Sequence, residues 1–118
     1  MTDAGSPLGD AASITQAITI LAATIDARAG GDPSASWTAK LLNAGPEACA
    51  KKLGEEGVEA AIAIAAQSDD AVVAEAADVL YHLLVALRSR GIPLDAVGHV
   101  LAARQGQSGV QEKASRND

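Results

Sequence analysis

Two acidic groups dominate the chemistry available to this sequence. The first is Glu55-Glu56-x-x-Glu59 and the second is Glu75-x-x-Asp78. On a helix, residues three and four apart share a face, so Glu56 and Glu59 point the same way, as do Glu75 and Asp78. Glu55 lies about 100° round from Glu56, yet it is also the i,i+4 neighbour of Glu59. The second pair is set in an apolar run, AVVAEAADVLYHLL, which turns its carboxylates toward the interior or the edge of a bundle. Clustered, partly buried carboxylates repel one another, and a hard cation removes that cost. Mg²⁺ takes oxygen ligands in octahedral geometry and keeps water positions open for substrate phosphates. The plainer reading of the first group is a solvated face, with Lys51 and Lys52 four residues before Glu55 and Glu56 as ordinary ion-pair partners. The second group has no such excuse: no Lys or Arg stands three or four residues from Glu75 or Asp78. The Glu-x-x-His pattern of di-iron bundles is absent, because His82 comes seven residues after Glu75.

Helices must position these acids. Ile14, Ile18, Leu21 and Ile25 recur at helical spacing behind a capping Ser13, and Gly30-Gly31-Asp32-Pro33 ends that element. Ser36 caps a short segment from Trp37 to Asn43. Gly45 breaks it, and Pro46 suits the first turn of a third helix reaching to about Gln67. Its apolar face is expected to include Leu53, Val58, Ile62 and Ile64. Gly54 and Gly57 inside it each cost about 1 kcal/mol relative to Ala, which calls for a reason in packing or function. Ser68-Asp69-Asp70 is a short capped turn into a fourth helix, roughly Asp69 to Ser89, ended by Gly91. The short connection makes the third and fourth helices an antiparallel hairpin. Pro93 starts a last helix to about Arg104. The expected fold is all-α: a small bundle of four to five helices around a central antiparallel hairpin. Residues 1–12 are expected to be a mobile leader, 13–104 the folded domain and 105–118 a polar, disordered tail.

Composition limits the function. A chain of 118 residues fits one domain. Hydrophobic residues make up 48%, mostly Ala, with no Phe, one Trp and one Tyr. Ala-rich helices pack closely but offer thin apolar faces, so a homo-oligomer is the simplest way to complete the core. A net charge of −6 argues against non-specific binding to nucleic acid or to an anionic membrane. No stretch is apolar and long enough to span a bilayer. The opening MTDAGSPLGD lacks the apolar core of a signal peptide. With Cys49 alone, no intramolecular disulfide is available, and a cytoplasmic setting is expected.

Together the two acidic groups resemble the signature of the MazG-like all-α nucleotide pyrophosphohydrolases. Within that superfamily the chain is similar to the phosphoribosyl-ATP pyrophosphatases of histidine biosynthesis. SWTAKLL (Ser36 to Leu42), KLGEEGVEAAIA (Lys52 to Ala63) and EAADVLYHLLVAL (Glu75 to Leu87) carry the resemblance. It extends over about residues 14 to 104 and includes the GIPLDAV segment. Gly57 departs from it, standing where the family has a better helix former.

The resemblance implies Mg²⁺-dependent cleavage of phosphoribosyl-ATP between its α- and β-phosphates. It implies Glu56, Glu59, Glu75 and Asp78 as metal ligands, with Glu55 either joining them or positioning and deprotonating water alongside Glu56. Lys40 and Lys52 match positions that contact phosphate, or else are solvated surface lysines. Arg88 and Arg104 are weaker phosphate candidates, since Arg near a helix C-terminus is favourable in any case. His82, four residues after Asp78, either orients that ligand from behind or is a satisfied interior histidine. Trp37 is a core or interface anchor before it is a base-stacking platform, and Tyr81 needs a partner for its hydroxyl if buried. The resemblance also implies a homodimer or dimer of dimers. Two other functions compete: a house-cleaning pyrophosphatase acting on dUTP or other nucleoside triphosphates, and a non-catalytic helical dimerisation module. A fused zinc-dependent cyclohydrolase is not expected, because one Cys and two His (His82, His99) do not supply its ligands.

Overall fold

The computed structural model describes residues 13–106. Five helices follow in order: α1 (Ile14–Arg28), α2 (Trp37–Ala44), α3 (Pro46–Ala66), α4 (Asp69–Ser89) and α5 (Leu94–Ala103). No strand occurs among the described residues. The fold is thus the all-α bundle that the sequence implies, and α3 and α4 form its antiparallel hairpin. The leader and all of the tail beyond Gly106 lie outside the described residues.

The local signals act as their chemistry dictates. Ser13, Ser36 and Ser68 each accept a hydrogen bond from the backbone N–H three residues on, at the starts of α1, α2 and α4. Gly45, at φ +98°, separates α2 from α3 in a conformation that a side chain would resist, and Pro46 opens α3 without a lost donor. Gly91, at φ +68°, ends the α4 turn. Pro93 caps α5 rather than lying inside it.

Helix α4 is central: α3 packs along it, and α1 and α2 pack on its C-terminal half. The core sits at that end. Ile25, Leu41, Cys49, Leu84 and Val85 form it, with Ile18, Leu21, Leu42, Tyr81 and Leu94 around them. The Cys49 thiol donates to the Leu41 carbonyl at 3.2 Å, which joins α3 to α2.

The buried face of α3 differs from the expectation. Cys49, Glu56, Ala60 and Ala63 are buried, whereas Val58, Ile62 and Ile64 are exposed. Val58 and Ile62 lie almost opposite the buried stripe at 100° per residue. Small residues bring α3 close against α4 and leave the β-branched ones outside. Ile14 and Trp37 are also exposed, Trp37 by half. A Cβ added at Gly54 or Gly57 would meet nothing within 4 Å, so no close approach within the chain explains either glycine.

Ile25 is among the largest fully buried side chains of this thin core. Ile25→Ala is expected to destabilise the fold by about 2–4 kcal/mol. A shift of the urea midpoint at unchanged m-value reads this, and a loss below about 1 kcal/mol would mean that the core is not centred there.

Candidate metal centre

The acids stand near the middle of the hairpin, on the turn side of the core. Packing of α3 on α4 brings Glu56 opposite the α4 pair, so that one carboxylate oxygen each from Glu56, Glu75 and Asp78 lie within 4.8 Å of one another. Glu56 is buried, Glu75 half-buried and Asp78 exposed. The cluster is thus a pocket edge open to solvent on the Asp78 side.

Glu59 sits one turn along α3 from Glu56 and acts on it directly. A hydrogen bond between the two carboxyls, then the charges of Glu56 and Glu75, push Glu59 above the usual carboxylate range. The same hydrogen bond, followed by contact with Lys52 and the charge of His82, holds Glu56 below that range. Of the two, Glu59 therefore takes up a proton more readily than Glu56. Lys52 reaches Glu56 at 3.3 Å and Glu55 at 3.8 Å. Its hydrogen bond to Glu56 and the surrounding negative charge raise its pKa. The Glu55 side chain is 53% exposed and shares Lys52 with Glu56.

The donor set suits a hard cation. All three clustered ligands are carboxylate oxygens. In the same cluster, Glu75 Oε2 is buried and has no hydrogen-bond partner among the described residues. Buried carboxylate oxygens are normally satisfied, and an orphan among like charges marks a place for positive charge.

His82 is buried behind Asp78. Its Nδ1 meets the Asp78 backbone carbonyl at 2.8 Å, so it grips the turn that carries Asp78 rather than the Asp78 carboxylate. The Tyr81 ring stands edge-on to it, with centroids 4.9 Å apart at 88°. The Tyr81 hydroxyl shares a 2.5 Å hydrogen bond with the buried Thr38 hydroxyl on α2. Sequence reasoning missed this link, since nothing in the spacing of Thr38 and Tyr81 announces it.

The other candidates are dispersed. Lys40 lies on α2 with its ammonium 5.7 Å from the Trp37 ring centroid. Arg88 donates to Asp26 of α1 at 2.7 Å. It lies about 15 Å further along α4 than Asp78 at 1.5 Å per residue, between two surface cavities at the core end of the bundle. Arg104 follows α5 as its C-cap.

Carboxylates converging from both arms of an antiparallel helical hairpin, in a five-helix chain, are the fold and site of the MazG-like all-α class. Within that class, residues 19–105 match the phosphoribosyl-ATP pyrophosphohydrolase family, and the chain belongs to it. It is 58% identical over 103 residues to the phosphoribosyl-ATP pyrophosphatase of Caulobacter vibrioides (strain NA1000 / CB15N), covering 87% of this chain and 95% of that one. It is also 58% identical over 96 residues to the enzyme of the same name from Ruegeria pomeroyi, covering 81% of this chain and 91% of that one. The corresponding protein of Cereibacter sphaeroides (strain KD131 / KCTC 12085) is 57% identical over 96 residues, covering 81% and 93%.

A cation needs these carboxylates ionised, so its binding displaces the Glu59 proton at low pH. Mg²⁺ affinity is expected to rise with pH through the range just above that of an ordinary glutamate, then level off. Calorimetry in buffers of unequal ionisation enthalpy reads the released proton. Glu59→Gln is expected to reduce that release, and an unchanged release in the variant would contradict the raised Glu59 carboxyl.

Proposed function

We propose that this chain hydrolyses phosphoribosyl-ATP to phosphoribosyl-AMP and pyrophosphate, a step of histidine biosynthesis, with Mg²⁺ held by Glu56, Glu75 and Asp78 and completed by Glu59. Membership of the pyrophosphohydrolase family, together with three carboxylate oxygens from two helices within 4.8 Å, carries this reading. The family is one of hydrolases, which leaves a non-catalytic dimerisation module without support. The catalytic unit is residues 13–104, in a cytoplasmic enzyme. No helix among the described residues is long and apolar enough to cross a membrane.

Bound Mg²⁺ supplies Lewis acidity at the phosphoryl oxygens and lowers the pKa of water. The chain's own residues do the rest. Glu56, fixed by burial and by Lys52, anchors the centre from α3, while Glu75 and Asp78 oppose it from α4. Glu55, exposed and one turn from Glu59, is placed to orient the attacking water and take its proton, a role that Glu56 shares if it is not wholly committed to the cation. Lys52, whose ammonium is already at the acidic edge, meets substrate phosphate there, and Lys40 does so from α2. Arg88 and Arg104 remain candidates for phosphate contacts. Arg88 reaches phosphate only by leaving Asp26 or by facing the site of a second protomer.

A homodimer, or a dimer of dimers, completes this reading. The exposed Val58, Ile62 and Ile64 of α3, Val73 of α4 and Leu101 of α5 leave much apolar surface on a chain with a thin core. Light scattering is expected to give at least twice the chain mass, and a monomer at micromolar concentration would contradict it.

Glu56→Gln and Asp78→Asn are expected to lower Mg²⁺-dependent pyrophosphate release by at least about 100-fold with helicity retained, beyond the loss typical of residues that merely support ligands. Full turnover in excess EDTA would refute the metal role. Turnover of dUTP or canonical triphosphates at or above that of phosphoribosyl-ATP would move the chain to the house-cleaning branch.

A further inference from the structure

Glu75, Asp78 and His82 recur three and four residues apart, so they form one stripe along α4. That stripe carries both buried side-chain atoms that lack a hydrogen-bond partner among the described residues: Glu75 Oε2 and His82 Nε2. The first is explained by the cation. The second is not. His82 is only 7% exposed, and it lies between the core and the acids, one turn from Asp78 and one from Val85.

The ring's orientation follows from its neighbours. A backbone carbonyl only accepts hydrogen bonds, so the 2.8 Å contact with the Asp78 oxygen requires that Nδ1 carry the hydrogen and donate. In the neutral ring the remaining nitrogen, Nε2, then has a lone pair and can only accept. The edge-on Tyr81 ring, itself tied to Thr38, packs against the imidazole and restrains its plane. A rigid, buried acceptor of this kind, set beside carboxylates that only accept when ionised, calls for a small molecule that donates in several directions. Water is that molecule.

We propose that His82 is a positioning residue of the hydrolytic site: Nδ1 is anchored on the Asp78 carbonyl, and Nε2 accepts a hydrogen bond from a water molecule held among Glu56, Glu75 and Asp78. This rests on the metal-assisted reading above and adds to it a fixed acceptor for one of the water's hydrogens. Asp78 and the water are then aligned by one ring, so that the ligand turn and the water's orientation are fixed together.

Two substitutions separate the two nitrogens. In His82→Asn the amide NH₂ falls near the place of Nδ1, which keeps the donor to the Asp78 carbonyl and deletes Nε2. In His82→Gln the amide oxygen reaches the place of Nε2. For each variant, three quantities are read: the melting temperature without cation, Mg²⁺ affinity by calorimetry, and kcat and KM for phosphoribosyl-ATP. His82→Asn is expected to lower Mg²⁺ affinity and kcat by about 10- to 100-fold, with KM changed less, and His82→Gln to recover about a tenth or more of the wild-type values. The proposal is overturned if His82→Asn stays within about 3-fold of wild type in both affinity and kcat, below the range for groups that support ligands. It is also overturned if the two variants lose function equally and in step with melting temperature, as a purely structural histidine would require. Wild-type protein that binds no Mg²⁺ sinks the metal reading itself, and normal wild-type binding with an unaffected His82→Asn sinks only the role of His82.

Discussion

The contact on which everything else depends is the packing of α3 against α4. It presses Glu56 of one helix toward Glu75 and Asp78 of the other until one oxygen from each lies within 4.8 Å of the rest. Left alone, three like charges at that separation push the hairpin apart. The structure contains partial remedies: Lys52 at 3.3 Å from Glu56, and a Glu59 carboxyl pushed above the usual range, so that it takes up a proton more readily. Neither reaches Glu75 Oε2, which stays buried and unpartnered. That residual repulsion is what a bound cation would relieve, so the contact that costs stability in the free chain would favour the filled centre.

The hairpin sustains this because its two ends do different work. At the open end of α4 the core supplies what the acids remove. There α1 and α2 wrap the helix, and Ile25, Leu41, Cys49, Leu84 and Val85 close up. The Arg88–Asp26 pair clips α1 to α4 at that end. Toward the turn only α3 accompanies α4, and the buried α3 residues are Ala60, Ala63 and Glu56 rather than large side chains. Small residues let the backbones approach, and that closeness is what makes carboxylates, with their short reach, converge. A Leu at Ala60 would fill the interface and spread the acids. Stability and ligand geometry are thus set by the same few alanines.

Much of this was legible in the sequence. Serine caps, Gly45-Pro46 and the Ser68 turn are local signals with a single physical outcome, and the helices begin and end within a residue or two of where those signals fall. The i,i+3 acid pairs likewise fixed which carboxylates share a helix face. The buried face of α3 was not legible. Val58, Ile62 and Ile64 alternate with alanines around the whole helix, so the periodicity offers two apolar faces and cannot say which meets α4. The choice falls to tight packing, which favours Ala60 and Ala63 over the β-branched residues. The grip of His82 on the Asp78 backbone was half legible: the i,i+4 spacing named the pair, but not that the ring would hold the carbonyl instead of the carboxylate. The Thr38–Tyr81 bond left no trace at all, because it depends on how α2 lies across α4.

That last bond bears on how the two halves of the site work together. Segment SWTAKLL carries two groups suited to meeting a nucleotide, the exposed Trp37 and Lys40, and it also carries Thr38, which points inward to Tyr81. Tyr81 in turn meets His82, and His82 holds the turn bearing Asp78. A displacement of α2 therefore reaches α4 through three consecutive contacts, none of which involves a carboxylate. Discrimination among nucleotides needs surface outside the acids, and in this chain the exposed residues of α2 are joined to the ligand turn by hydrogen bonds and ring contacts rather than by a flexible loop. Helix α2 and the turn bearing Asp78 are consequently not separable modules, and a substitution at Thr38 or Tyr81 is expected to reach the carboxylate cluster even though neither residue belongs to it.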